Sequence, residues 1–175
     1  MRVSILPRMY AMKIFLDANG KRIPLSKNEV VSWRISGYAL VLDRDKILVV
    51  VPTWNKQFEF PGGGVNEEEG IKDGIVRECY EETGYKIFIP DGAPFYVGED
   101  NFYHRHLKKF YHSLIIVYRA RLRSSKQNLN IINTCDGDEI RRISWEDVSV
   151  FTQRNTHRIV YPAIRSFRRL ERTRK

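Results

Sequence analysis

The stretch Gly63-Gly64-Val65-Asn66-Glu67-Glu68-Glu69-Gly70-Ile71-Lys72-Asp73-Gly74-Ile75-Val76-Arg77-Glu78-Cys79-Tyr80-Glu81-Glu82-Thr83-Gly84-Tyr85 places seven acidic residues in 23 positions. The 175-residue chain around it has a formal net charge of +9. From Gly70 to Glu82 the pattern is helical, and Gly84 stands where a helix stops. At about 100° per residue, Glu81 and Glu82 fall within roughly 60° on either side of Glu78. Three carboxylates therefore share one face, and like charges at these spacings repel. Val76 and Cys79 lie on an adjoining face, so the helix can pack on a core while it presents acids to a cleft.

Such a face is tolerable when something positive sits on it. Clustered hard oxygen donors are what Mg²⁺ or Mn²⁺ requires, and Mg²⁺ usually keeps several waters and bridges to phosphate oxygens of a substrate. Gly62-Gly63-Gly64 permit close backbone approach beside the acids. Arg77, in their midst, can orient a carboxylate through its planar fork. Composition alone would favour a plain solvated acidic helix; the spacing of the fixed residues decides otherwise.

That spacing resembles the box of the Nudix (MutT-like) hydrolase family, GX5EX7REUXEEXGU, where U is bulky and apolar. Gly63, Glu69, Arg77, Glu78, Glu81, Glu82 and Gly84 fill all seven fixed positions. At residue frequencies of about 7%, a chance match is on the order of one in 10⁸ per starting point. Cys79 and Tyr85 stand at U positions that are more often aliphatic, and Asn66 stands where many members place an acid. Phe58-Glu59-Phe60-Pro61-Gly62-Gly63 is similar to the family's entry into the box. Trp145-Glu146-Asp147-Val148 resembles the stretch before its last helix.

The resemblance implies the Nudix fold, an α/β (α+β) mixed β-sheet sandwiched between helices, over residues 34–170 or so. It implies hydrolysis of a nucleoside diphosphate linked to another moiety X, with Mg²⁺ or Mn²⁺ as cofactor. By position it makes Glu78 and Glu82 the first metal ligands, with Glu81 close behind and the Gly63 carbonyl as a further donor. Glu69 would accept from Arg77 and hold the loop to the helix. The general base is not fixed by the box: Glu78, Glu81 and, in the later acidic loop Asp136–Glu139, Glu139 are candidates. Removal of pyrophosphate from RNA 5′ ends and a non-catalytic nucleotide-sensing domain are the alternative functions.

Outward from the box, the chain reads as one domain over 1–175. Residues 1–33 form an N-terminal hairpin extension, with Asp17-Ala18-Asn19-Gly20 turning the chain within Met12–Leu25. Tyr38–Leu42 and Ile47–Val51 read as strands, and the run ILVVV is apolar enough for central burial. Phe58–Phe60, Tyr85–Ile89, Phe95–Val97, Phe110–Leu122 and Ile140–Trp145 read as further strands. Asn101–Lys109 reads as a loop, and Arg158–Arg172 as a final helix with Pro162 early in it.

The composition, 42% hydrophobic and 29% charged, is ordinary for a folded chain with a core. No run of about 18 apolar residues appears, so no membrane span is expected. MRVSILPRMYAMKIFL lacks a continuous apolar run, so it does not read as a signal peptide. Cys79 and Cys135 form no CxxC pair and are expected as reduced thiols in a cytoplasmic protein, monomeric or homodimeric. Residues 165–175 (RSFRRLERTRK) carry six Lys/Arg against one acid, a solvated tail or a contact for polyanions such as RNA. Trp54, Phe58, Tyr96, Phe102 and Tyr103 are aromatics on which a base could stack. His104-Arg105-His106 with Lys108-Lys109 could clamp phosphates. The substrate expected is a small nucleotide diphosphate compound.

Overall fold

Alternation of side chains across one long mixed sheet organises the molecule. The computed structural model describes residues 13–132 and 140–173. Its strands are β1 (Ile14–Leu16), β2 (Arg22–Pro24), β3 (Val31–Asp43), β4 (Lys46–Pro52), β5 (Gly62–Gly64), β6 (Tyr85–Phe88), β7 (Tyr96–His104), β8 (Lys109–Gln127) and β9 (Ile140–Asp147). Helix α1 (Ile71–Thr83) follows β5, and α2 (Tyr161–Thr173) ends the described chain. The strand order is β2-β1-β7-β8-β3-β4-β9, with β5 paired to β3 and β6 to β8. β3 and β8 run parallel from Val31↔Phe110 to Val41↔Ala120. β7 and β8 form an antiparallel hairpin from Tyr96↔Val117 to His104↔Lys109.

Because successive strand residues point to opposite faces, β3 feeds two cores. Tyr38 and Leu40, with Ile47 and Val49 of β4 and Val117 of β8, pack on Ala163, Ile164 and Phe167 of α2. The alternate residues Ala39, Val41, Leu48 and Ala120 pack on Ile75 and Cys79 of α1 and on Ile87. The sheet therefore lies between two helices, as expected. β4 needs apolar residues on both faces, which is why ILVVV does not alternate; Ile47, Leu48 and Val49 are fully buried.

The local signals act as their chemistry demands. Gly84 takes the left-handed cap of α1 (φ 70°) and its N–H donates to the Tyr80 carbonyl at 2.8 Å. In the N-terminal hairpin, the Gly20 N–H donates to the Asp17 carbonyl at 2.9 Å. The buried Asp17 carboxylate accepts from the amides of Asn19 (2.9 Å) and Lys21 (2.8 Å). Pro162 sits in the first turn of α2, where its missing N–H costs nothing.

Four expectations need correction. Asn101–His104 is strand, since β7 continues to His104 and only the tip 105–108 turns back to β8. Its polar residues occupy a partly solvated antiparallel face, where polarity does not mean loop. Phe58–Phe60 is no continuous strand but makes isolated bridges, Val50↔Glu59 and Phe58↔Thr156. The last helix begins at Tyr161, three residues after Arg158. The basic segment is no free tail up to Thr173: Phe167 is buried in the core, and Arg168 donates to the carbonyls of Val148 and Phe151 (2.8 Å for the latter). Arg165, Arg169 and Arg172 face outward.

Candidate active site

Arg77 is the hub of the acidic helix. Its Nε and Nη2 donate to Glu69 Oε2 and Oε1 at 3.0 and 2.7 Å, a two-pronged grip from the helix to the loop before it. Its Nη1 donates to Glu78 Oε1 and to Glu81 Oε2, each at 2.9 Å. Glu69 Oε1 also accepts the Asn66 amide at 2.8 Å. These hydrogen bonds pull the Glu69 carboxyl below its ordinary range, with Arg77 the main cause, and push Arg77 further above its own. The repulsion on this face is thus answered first by one guanidinium.

Glu82 turns the other way, and its Oε2 accepts the Gly62 amide at 2.8 Å. Gly62 has φ 140°, and a Cβ there would overlap the Gly37 carbonyl on the neighbouring strand. At Gly63 a Cβ would lie 3.0 Å from Glu78 Oε2. Absence of a side chain thus lets Gly62 lie against the β3 backbone and Gly63 against the Glu78 carboxylate of α1. The glycine–glutamate spacing of the sequence has this contact as its physical content.

The groups around this junction offer only oxygen: the carboxylates of Glu78 and Glu82 and the Gly63 backbone, with Glu81 joined to Glu78 through Arg77. That chemistry fits a hard divalent ion and offers nothing to a soft one. Among the described residues, no three His, Cys, Asp or Glu side chains converge as a finished ion cage. A carboxylate has about four lone-pair sites, so one hydrogen bond from Arg77 or Gly62 does not exhaust it as a ligand.

A cavity of about 250 Å³ opens beside this junction. Glu82, Gly62, Gly63 and Glu59 form one end. The floor is the α2-side face of the sheet, with Ser36 and Tyr38 from β3 and Ser113 and Ile115 from β8. Burial pushes the Tyr38 phenol well above its ordinary range, so it remains protonated. The far wall is made by the hairpin turn (Ala18, Asn19), the β7 residues Asp100 and Phe102–His104, and Arg105 and His106 of the β7–β8 turn. Arg105 is ion-paired with the buried Asp17, which docks that turn onto the hairpin. Arg158 grips Asp100 with two hydrogen bonds of 3.2 and 2.8 Å.

The sequence candidates divide accordingly. Trp54, Phe102 and Tyr103 line the cavity, as do His104, Arg105 and His106. Phe58 does not line it: its ring packs edge-on against Phe151 at 5.3 Å, with Arg142 over it at 5.3 Å, and so supports the core. Tyr96, Lys108 and Lys109 are also absent from its walls. Cys79 is buried, and burial, then the charge of Glu82, pushes its thiol up to about 12. Tyr85 meets Trp145 edge-on at 5.8 Å, so both bulky positions of the box serve packing. Glu139, with Cys135 and the rest of the acidic loop, lies outside the described residues, although the next residue, Ile140, lines the cavity.

Sequence reading missed Arg34, Ser36, Asp100, His157 and the hairpin turn as cavity residues. Strict alternation from Tyr38 would have placed Ser36 and Arg34 on its face. The others reach the cavity through tertiary contacts that no local signal carries.

Comparison with known proteins identifies the family of this chain. The family model described as the NUDIX domain matches residues 32–164. The chain belongs to that family and is by class a hydrolase of phosphorus-containing anhydrides. No curated protein matches it in sequence. Among solved structures it is similar to a NUDIX hydrolase from Nitrosomonas europaea (TM-score 0.61, 18% identity, covering 78% of this chain and 89% of that one). It is also similar to a UDP-X diphosphatase (0.58, 17%, 82% and 64%). A third similar structure is an ADP-ribose pyrophosphatase from Streptococcus suis (0.50, 17%, 77% and 92%). At these identities the likeness establishes a shared fold.

Proposed function

We propose that this protein, acting as one domain over residues 1–175, is a divalent-metal-dependent pyrophosphohydrolase of nucleoside diphosphates linked to a second moiety. The observation that carries the reading is the junction of Gly62-Gly63 with Glu78 and Glu82, whose Gly62, Gly63 and Glu82 line a cavity of about 250 Å³. Two of the similar structures are a UDP-X diphosphatase and an ADP-ribose pyrophosphatase, which supports compounds of that class.

Glu78, Glu81, Glu82 and the Gly63 carbonyl would hold Mg²⁺ or Mn²⁺. Bound there, the ion would spread charge developing on phosphate oxygens and lower the pKa of a bound water. Arg77 and Glu69 act on the protein side: they fix the orientation of Glu78 and Glu81 and tie the glycine turn to α1. Glu78, Glu81 and Glu139 are the acids available to take the proton of the attacking water. Trp54 and Tyr103 offer rings on which a base can stack. The outward arginines of α2 line no part of the cavity, so RNA ends have less structural support than small nucleotides. A sensing role without turnover would leave the acids of the box without a use, and all of them are present.

The test is turnover of ADP-ribose, UDP-glucose, ATP, a dinucleoside polyphosphate and 5′-triphosphorylated RNA, with products identified, in Mg²⁺, Mn²⁺ or excess chelator. Hydrolysis of small compounds only in added metal, lost at least 100-fold in Glu82→Gln at unchanged thermal stability, is expected. Full turnover in chelator, or undiminished turnover by Glu82→Gln, would refute the assignment.

A further inference from the structure

Arg34 carries a charge that the fold leaves unspent. Strand alternation puts it on the same face of β3 as Ser36 and Tyr38, and all three line the cavity. The cavity's other arginine, Arg105, is ion-paired with Asp17, and the Asp100 carboxylate of the wall is taken by Arg158. Among the described residues, Arg34 makes no ion pair and donates no hydrogen bond; it lies over the Tyr111 ring, 5.8 Å from Cζ to the centroid. The side-chain polar atoms both buried and unpartnered among those residues are Arg119 Nε and His157 Nδ1. The half-buried Arg34 contributes none, so its N–H groups keep accessible surface at the cavity wall.

The fold builds a seat for this guanidinium. β5 pairs antiparallel with β3, with Ser36 opposite Gly64 and Gly37 opposite Gly63. Successive β5 residues turn opposite ways. A Cβ on Gly63 would meet the Glu78 carboxylate at 3.0 Å, whereas one on Gly64 would overlap the Arg34 guanidinium, 3.0 Å from Cζ. Gly64 is not a fixed position of the box; its missing side chain leaves the guanidinium its place. The Gly64 carbonyl accepts from Arg77 Nη2 at 3.4 Å, which ties the seat to the acidic helix. The glycine strand therefore has a carboxylate on one side and a guanidinium on the other. Arg34 and Glu82 both line the cavity. An arginine fork matches two oxygens of one phosphoryl group, which makes phosphate the fitting partner.

We propose that Arg34 is a substrate-binding residue whose guanidinium donates to phosphate oxygens of the diphosphate in this cavity. The inference rests on the hydrolase reading for its substrate, and it adds a phosphate contact from β3, outside the Nudix box. The acids of α1 can reach phosphate oxygens only through a cation, whereas Arg34 reaches them directly. Packing on Gly64 and Tyr111 restricts its side chain before the ligand arrives, which lowers the ordering cost of binding.

The test is isothermal titration calorimetry on the full chain in MgCl₂. The probes are methylenediphosphonate and α,β-methylene-ADP, whose bridging carbon resists hydrolysis. Arg34→Gln should weaken both about 10- to 100-fold, the scale of a charge-assisted contact. Arg34→Lys, which keeps the charge without the fork, should fall between. Arg169→Gln removes the same charge from the outward face of α2 and should change neither affinity by more than about twofold. Mn²⁺ binding without ligand should stay within about threefold in Arg34→Gln. Gly64→Ala, whose methyl takes the guanidinium's place, should lose affinity for both probes, and it decides the matter should Arg34→Gln not fold. Unchanged affinity in a folded Arg34→Gln, or no binding of either probe by wild type, overturns the proposal. So does a loss confined to the nucleotide, which would mean stacking on the base, or a collapse of Mn²⁺ binding, which would mean support of the acids. Should wild type bind the probes and hydrolyse no diphosphate compound, the hydrolase reading falls while the role of Arg34 is still decided.

Discussion

Replacing Arg77 by Met tests the electrostatic design of the acidic helix. The substitution keeps an unbranched, helix-compatible chain and removes the cation. Four hydrogen bonds to carboxylates disappear, two to Glu69 and one each to Glu78 and Glu81. The partners are partly exposed, with side-chain accessibilities of 31% for Arg77 and 18–25% for the acids. Their charge-assisted bonds are therefore screened and not additive, and a total loss of about 2–4 kcal/mol follows. For a chain of this size, that corresponds to a fall in Tm of roughly 5–12 °C. The loss should be largest in chelator, where three carboxylates face one another uncompensated. Millimolar Mg²⁺ or Mn²⁺ should restore part of it, because ions that bind only the folded state stabilise it. Arg77→Lys, which keeps charge without the fork, should fall between. Thermal melts followed by circular dichroism, in EDTA and in MgCl₂, read all three effects. An Arg77→Met variant that melts within about 1 °C of wild type in EDTA would show that Arg77 does not hold these carboxylates together, since the expected fall is several times larger.

Four further outcomes follow from the packing. His157 is ordinarily half-protonated near 6.5 but in the fold only near 4; the unfolded chain therefore binds the extra proton between these values. Stability is full above about pH 6.5 and falls by about 3 kcal/mol as pH drops to 4. Glu69, held below its ordinary 4.5, adds its own loss only in more acidic solution. Urea melts at pH 6.5, 5.5 and 4.5 should show a shallower decline for His157→Asn, and equal slopes would count against it. Truncation after Ile164 should unfold the protein, since it removes Phe167 and Arg168. The triple change of Arg165, Arg169 and Arg172 to Ala should leave the melting temperature within about 2 °C; a larger fall would mean those side chains are structural. Native protein treated with iodoacetamide should leave Cys79 unlabelled by peptide mass spectrometry until it is unfolded, and rapid native labelling would contradict its burial.

The box was legible because its spacing encodes contacts within one loop and one helix. Gly63 meets Glu78, and Glu69 meets Arg77, through elements adjacent in sequence, so their order along the chain carries their geometry. The sheet was legible where burial forced a pattern, as in ILVVV. It was misread at Asn101–His104, because a half-solvated strand looks polar. β5 escaped notice as a strand because Gly62–Gly64 has no side chains to alternate. The cavity wall was hidden for another reason. Asp17, Asp100, Arg105, His157 and Arg158 are brought together by the parallel pairing of β1 with β7, where Leu16 meets Phe102, and by the return of the chain before α2. None of these contacts leaves a local trace.

The proposed function requires a divalent ion on the α1 face, held by acids that Arg77 keeps in place. Electron paramagnetic resonance of Mn²⁺ titrated into wild type, Glu82→Gln and a Glu78→Gln/Glu82→Gln pair measures it without reference to any substrate. Saturable Mn²⁺ binding by wild type, weakened at least 10-fold by the single change and abolished by the double, is the predicted result. Equal Mn²⁺ binding by all three proteins, each shown to be folded, would contradict it.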